Sequence, residues 1–197
     1  MIEILKQFCR KGKFLPEEPW SFENWTYGTD GKILLRVPRI AEVLEIENPP
    51  RGTAYIENWL KQEYKYFPIP HVEKHMNLCP HCAGVGKVVD CKECAGSGEA
   101  IASTDYNTYE VTCQGCSGDG QLPANDGDIK AYECDQCDGE GKAWERKNIN
   151  IGGENFANQY LYLLQTLDVK ELGVCAEKDS PAHFKLNGHD GLLMPRG

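Results

Sequence analysis

The sequence lacks a long apolar segment, an excess of basic residues and a known catalytic motif. Its uninterrupted apolar runs are only a few residues long, which predicts no membrane-spanning helix. The opening MIEILKQFCRKGK does not have the charge order of a signal peptide. A formal net charge of −9 argues against general electrostatic binding to nucleic acid. GxSxG and HExxH do not occur. We therefore expect a soluble, cytoplasmic protein that has no membrane partner and is not an enzyme.

Cysteine, in contrast, is abundant and regularly spaced. Eight of the ten cysteines lie in four copies of CxxCxGxG. In the reducing cytoplasm, paired cysteines more often hold metal than form structural disulfides. A structural zinc ion takes four ligands, so two CxxC pairs must converge on each ion. The sequence therefore predicts two Zn²⁺ ions, with these ligands: Cys79, Cys82, Cys91, Cys94, Cys113, Cys116, Cys134 and Cys137.

The glycines of the repeats fit the same interpretation. A chain that wraps a sulfur-bound ion bends sharply and directs backbone N–H groups at the thiolates, in turns that often need positive φ. The predicted knuckle glycines are Gly84, Gly86, Gly96, Gly98, Gly118, Gly120, Gly139 and Gly141. A phosphate-binding loop is not favoured, because no GxG pair continues to GxxG or GK[ST]. A thiol–disulfide oxidoreductase or holdase chaperone that uses CxxC pairs remains the alternative, and it requires disulfide exchange that is lost on Cys-to-Ser substitution.

Four CxxCxGxG copies resemble the cysteine-rich zinc domain of the DnaJ family of chaperones. The resemblance implies nested pairing, with the first repeat sharing a zinc ion with the fourth, and the second with the third. Spacing alone does not decide this, because the 18 residues between Cys94 and Cys113 and the 17 between Cys116 and Cys134 both suit a zinc ribbon. The resemblance covers about 70 residues. The His-Pro-Asp tripeptide of the family's J domain does not occur in the sequence, so the resemblance implies no J domain.

The segments on either side of the repeats have ordinary globular patterning. Helical periodicity occurs over residues 2–11, 53–67 and 155–167. Two strand-like runs surround Gly28-Thr29-Asp30-Gly31, and short strands are predicted in LGVCAEK, HFKLNG and GLLMP. Each flank thus contains a helix followed by strands, which predicts an α+β fold.

This arrangement is similar to one domain of the bacterial DNA polymerase sliding clamp, the beta subunit. The similarity rests on the TDG hairpin and on these later residues: Phe156, Tyr160, Leu161, Leu193, Met194 and Pro195. Gln165 departs from the family's helix pattern, which has leucine there. The resemblance implies a discontinuous clamp-like domain of residues 1–75 and 148–197. A loop-rich, β-hairpin zinc module of residues 76–147 is inserted in it.

Basic side chains on the first helix test the clamp analogy. Lys6 and Arg10 would face DNA in a ring, whereas a solvated helix face is the competing interpretation. Residues 155–167 contain no basic residue. The sequence predicts a non-enzymatic zinc-binding adaptor with a protein partner, accessory to DNA replication or to a mobile genetic element. An oligomeric, DNA-encircling ring is a further alternative, with nucleic acid as the partner.

Overall fold

The structure, a computed structural model, describes residues 1–10, 16–50 and 52–196. The chain divides into two compact units, each described by itself below. The flanking unit comprises Met1–Lys74 and Arg146–Gly197, and the cysteine module comprises His75–Glu145. None of the helices in the described residues is both long enough and apolar enough to cross a bilayer.

The described part of the chain is mostly β-strand, with three short helices. The helices are α1 (Ile2–Lys6), α2 (Thr53–Leu60) and α3 (Asn158–Thr166). In chain order the strands are β1 (Trp20–Phe22), β2 (Trp25–Thr29), β3 (Ile33–Pro38), β4 (Tyr64–Pro68), β5 (Met76–Leu78), β6 (Lys87–Asp90), β7 (Glu99–Ser103), β8 (Thr108–Thr112), β9 (Gln121–Pro123), β10 (Tyr132–Glu133), β11 (Lys142–Trp144), β12 (Asn148–Ile151), β13 (Glu154–Ala157), β14 (Glu171–Cys175), β15 (Ala182–Leu186) and β16 (His189–Leu193).

Seven antiparallel strands form the main sheet of the flanking unit, in the order β1-β2-β3-β16-β15-β14-β4. Strands β1 to β4 precede the cysteine module in sequence, and β14 to β16 follow it. The junction between the two flanks is the pairing of β3 with β16, where Leu35 lies opposite Gly191. The two flanks therefore fold together into one sheet.

Both faces of this sheet are covered, because neighbouring residues of a strand point to opposite faces. On β3, Leu35 belongs to the larger apolar core, together with Phe184 of β15 and Leu164 of α3. Its neighbour Leu34 packs instead on a second cluster that contains Ile56 of α2. The flanking unit thus has a hydrophobic core made without any help from the cysteine pairs.

The helix predicted over residues 53–67 is wrong in its second half. The helix ends at Leu60, and Tyr64–Pro68 forms strand β4 instead. Tyr66 of β4 lies opposite Gly173 of β14, and five residue pairs join the two strands. Aromatic residues favour a pleated, half-buried surface, and this long-range pairing overrides the local helical spacing.

The other two predicted helices are shorter than the periodicity indicates. The first helix ends at Lys6, and residue 11 of the predicted range lies outside the described residues. The last helix begins at Asn158 because Glu154–Ala157 pairs with β12 as strand β13. Phe156 consequently enters the core from a strand and not from the helix.

The cysteine module consists of small sheets joined by the four repeats. All of its residues are described, and it contains no helix. Its sheets are β10-β6-β9, β11-β5 and β7-β8. Each CxxCxGxG repeat follows directly after one strand and leads directly into the next. The repeats therefore occupy the turns of the module, which is where tight backbone bends are needed.

Candidate metal centre

The eight repeat cysteines come together in two groups. The outer site contains Cys79, Cys82, Cys134 and Cys137, and the inner site contains Cys91, Cys94, Cys113 and Cys116. Within each site all sulfur atoms lie within 4.8 Å of one another. The first repeat is thus grouped with the fourth and the second with the third, the nested arrangement that the resemblance implied.

The spacing of the sulfur atoms fits a tetrahedral zinc ion. In the outer site, Cys79 Sγ lies 3.9 Å from Cys134 Sγ, and Cys82 Sγ lies 3.7 Å from Cys137 Sγ. The corresponding distances in the inner site are also 3.9 and 3.7 Å. A zinc–thiolate bond of about 2.3 Å places neighbouring sulfurs of a tetrahedron roughly 3.8 Å apart. The thiols are not joined by disulfides, so both sites fit Zn²⁺.

Each site is closed by its own protein ligands. Seven of the eight sulfur-bearing residues are buried, and Cys94 is intermediate. Four thiolates complete the coordination shell of a zinc ion, whereas catalytic zinc sites keep one position open for water or substrate. This closed, four-thiolate arrangement is typical of structural zinc sites.

The second glycine of every repeat donates a hydrogen bond to the second cysteine. Its backbone N–H reaches Sγ across four residues, at 3.2 Å from Gly86 to Cys82 and 3.3 Å from Gly98 to Cys94. The remaining two bonds run from Gly120 to Cys116 at 3.2 Å and from Gly141 to Cys137 at 3.3 Å. Such donors offset the excess negative charge of a four-thiolate centre and orient its ligands.

The first half of each repeat closes a turn of its own. The N–H of Gly84 donates to the carbonyl of Cys79 at 3.2 Å, and the other three repeats make the equivalent bond. The residue between the second cysteine and the first glycine has positive φ in all four copies; these residues are Ala83, Ala95, Ser117 and Asp138. Positive φ costs a non-glycine residue energy, so the site holds the backbone in this conformation.

Paired repeats also bond to each other through the backbone. In the outer site, Cys79 N–H donates to Gly141 O, and Cys134 N–H donates to Gly86 O, both at 2.9 Å. The inner site repeats this reciprocal pattern, at 2.8 Å from Cys91 to Gly120 and 2.9 Å from Cys113 to Gly98. Each site therefore consists of two similar halves that face each other, a feature that the linear sequence did not reveal.

This contact separates the eight glycines into two kinds. A Cβ on Gly86 would lie 2.2 Å from the carbonyl oxygen of Gly139, and the second glycines of the other repeats meet partner backbone at 2.2 to 2.3 Å. A Cβ on Gly84 would instead meet the side chain of Leu78 at 2.9 Å. All eight glycines have positive φ. The second glycine of each repeat is additionally required by the close approach of two backbones.

The pKa values of the thiols show why the sites need a cation. Burial raises the pKa of Cys113 and Cys134 to about 12. Burial also opposes ionisation of Cys82, but hydrogen bonds from the N–H groups of Gly86 and Gly84 and from the thiols of Cys137 and Cys79 together outweigh it and lower the pKa of Cys82 to about 7. Without a cation, burial therefore disfavours four ionised sulfurs in one site, whereas metal binding deprotonates its ligands.

His81 makes a contact that was not predicted from the sequence. It lies between two ligands of the outer site, yet its Nε2 is 2.7 Å from Oε1 of Gln121 and its Nδ1 is 3.7 Å from a carboxylate oxygen of Asp119. Both partners belong to the third repeat region, whose cysteines form the inner site. His81 therefore connects the first repeat, in the outer site, with the third repeat, in the inner site. The spacing of residues in the sequence does not predict this long-range contact.

The two basic residues proposed to face DNA have different surroundings. Lys6 lies 3.4 Å from Glu3 and 3.7 Å from Glu18, so two carboxylates share its charge. Arg10 is exposed and lies beyond the end of α1. The helix α3 carries no basic residue. These positions are typical of a solvated surface.

The fold and the two sites together define a protein with a zinc-binding module that contains two four-cysteine sites. No family model matches the chain. The chain is 32% identical over 78 residues to the chaperone protein DnaJ of Wolbachia sp. subsp. Brugia malayi (strain TRS), a match that covers 37% of this chain. The chain spans only 19% of that relative's length. The similarity and the two sites fit a DnaJ-type zinc domain, and the likeness does not extend to the whole chaperone.

The two kinds of glycine predict different effects of the same substitution. Gly84→Ala should keep both sites, at a cost of about 1–2 kcal/mol for a left-handed alanine. Gly86→Ala should also force the backbones of two repeats apart, because its Cβ would overlap the Gly139 carbonyl. We expect Gly86→Ala to release zinc faster than Gly84→Ala when a coloured chelator competes for the metal. Equal release rates would contradict the assigned role of the second glycine.

Proposed function

We propose that this chain is a non-enzymatic, zinc-stabilised adaptor that binds another protein through its cysteine module. The observation that carries the proposal is the closure of both sites, in which four cysteine sulfurs converge within 4.8 Å. Closed four-thiolate sites stabilise a fold and leave no open position for a reacting group. The module is thus assigned to recognition and its metal to structure.

The surface of the module supports a polypeptide partner. Large apolar side chains are exposed at Ile101, Tyr106 and Ile129, with relative exposures of 75%, 92% and 100%. Exposed aromatic and aliphatic side chains that do not serve the core of their own chain are common at protein interfaces. The relative that shares this module is named a chaperone, which also favours a protein as the partner.

The cellular setting is proposed from the sequence resemblance to the sliding clamp. That resemblance supports an accessory role in DNA replication or in a mobile genetic element, in a reducing cytoplasm where thiolates remain available to zinc. It also supplies the alternative of a DNA-encircling ring. The carboxylates beside Lys6 make that alternative the weaker one, because they reduce the charge that would face DNA.

A thiol–disulfide oxidoreductase or holdase is the other alternative. Cys94 is the cysteine that favours it, since this residue is less buried than the other seven ligands. A reactive cysteine must be accessible and free of metal. The burial of its neighbours favours the structural assignment over this one.

Removal of zinc should unfold the cysteine module and leave the flanking unit folded. Structural zinc contributes roughly 10–16 kcal/mol of apparent binding free energy, and the core of the module is formed largely by its cysteines. The flanking unit has an apolar core of its own. After chelation, amide hydrogen exchange should become fast across residues 75–145 and stay slow in the main sheet.

A pair of cysteine variants provides the control for this experiment. Cys82→Ser removes a ligand of the outer site and should lower the zinc content of the purified protein. Cys175→Ser, on β14 of the flanking unit, should retain two zinc ions per chain. Unchanged amide protection in residues 75–145 after verified zinc loss would contradict the structural role proposed for the metal.

Native mass spectrometry distinguishes the proposed adaptor from the alternative of a DNA-encircling ring. The adaptor predicts two zinc ions per chain on a monomer or small dimer, because binding a partner needs no closed assembly. A closed oligomer wide enough to enclose duplex DNA, with affinity for DNA that falls as salt rises, would support the ring instead. The variant Lys6→Gln tests this further, since only a ring would lose DNA affinity.

A further inference from the structure

The hairpin formed by β7 and β8 has two open edges. It is a separate two-stranded sheet, and the outer edge of each strand pairs with no other strand of the described chain. Every residue from 101 to 112 is exposed. An open edge presents unpaired backbone N–H and C=O groups that can pair with another extended segment.

The two faces of this hairpin differ in chemistry. Ala100 lies opposite Val111, and Ala102 lies opposite Tyr109, so these four side chains share one apolar face. The opposite face carries Glu110 in the middle of β8, with Ile101 of β7 directly across from it. Tyr109 and Val111 keep 51% and 42% of their surface exposed. Along its open edge β8 thus alternates apolar residues on one face with an acidic residue on the other.

The charge of the module is strongly one-sided. Residues 75–145 contain 13 Asp and Glu against four Lys and so account for the whole net charge of −9, because the rest of the chain has 17 basic and 17 acidic residues. Between Lys92 and Lys130 the sequence has seven acidic residues and no basic one. Eight thiolates with two Zn²⁺ ions add a formal charge of about −4.

This charge selects among the occupants that an open strand could accept. Nucleic acid and a second copy of the same hairpin would both bring like charge to the edge, which is unfavourable. A basic polypeptide brings complementary charge. Side chains of an added strand alternate between the two faces, so its basic residues would meet Glu110 and its apolar residues would meet Tyr109 and Val111.

We propose that the open edge of β8 binds an extended polypeptide segment in which basic and apolar residues alternate. The segment adds a third strand to the β7–β8 sheet, with affinity from main-chain hydrogen bonds and specificity from the alternate side chains. This inference rests on the proposed function, since it names the class of protein segment that the adaptor recognises.

The test uses the whole 197-residue, zinc-loaded chain and a fluorescein-labelled peptide of four Lys-Val repeats, and it measures binding by fluorescence anisotropy. A peptide of four Lys then four Val has the same composition without the alternation, and four Glu-Val repeats reverse the charge. The alternating Lys-Val peptide should bind at least about tenfold more tightly than either. Methylation of every second peptide amide on the bonding edge should weaken binding by a similar factor, because it removes backbone donors.

Two charge-matched variants locate the binding surface. Glu110→Lys should weaken binding of the alternating peptide at least about tenfold. Asp126→Lys makes the same change in net charge in the exposed loop between β9 and β10, and it should have a much smaller effect. The zinc content of both variants is measured, so that a folding defect is recognised.

Several outcomes would overturn the inference. They are equal binding of the alternating and block peptides, equal losses in the two variants, or a preference for a DNA duplex or for self-association over the alternating Lys-Val peptide. If these peptides fail to bind while native mass spectrometry still shows two zinc ions per chain on a monomer or small dimer, only the edge assignment is lost. Capture of a chemically unfolded reporter protein, or a closed oligomer that binds DNA, would remove the adaptor function as well.

Discussion

The cysteine module depends on one constraint, the convergence of four sulfur atoms at less than 4.8 Å in each of two sites. Four ionised thiols at that distance repel one another, and burial separately raises the pKa of Cys113 and Cys134 to about 12. A divalent cation neutralises part of this negative charge, so the free energy of metal binding contributes to folding of the module. The small sheets and turns around the sites follow from holding the sulfurs in place.

The backbone bonds within the sites show how so small a module is specified. Each repeat satisfies its own turn, donates an N–H to its second sulfur and exchanges a bond with its partner repeat. The ends of the module are also brought together, because β5 pairs with β11 and Glu145 N–H donates to the His75 carbonyl at 3.0 Å. Adjacent ends let a segment be inserted in a host domain with little cost to the host.

The sequence was informative where the physical constraint is local. Ligand type, CxxC spacing and the glycines of each repeat follow from zinc geometry and from positive φ, and the four identical copies favoured zinc over a redox dithiol. The grouping of repeats was not, since the intervals after Cys94 and after Cys116 are nearly equal. The contact of His81 with Gln121 and the pairing of β4 with β14 were missed because both join residues far apart in sequence.

The flanking unit and the cysteine module solve the same stability problem differently. The flanking unit buries leucine, phenylalanine and isoleucine between a seven-stranded sheet and its helices. The module leaves most of its apolar side chains on the surface and uses metal for cohesion. Because the exposed apolar side chains of the module are not needed for its core, they are available to bind a partner. The acidic charge of the module then favours basic partners.

The most direct test of the account is proton–cadmium correlation NMR on protein in which ¹¹³Cd replaces zinc. Each cadmium ion couples through bonds to the β-protons of its own cysteine ligands, so the spectrum reports the ligand sets. The account predicts two cadmium signals, one coupled to Cys79, Cys82, Cys134 and Cys137, and the other to Cys91, Cys94, Cys113 and Cys116. A signal that couples the first repeat to the second, or a single bound ion, would contradict it.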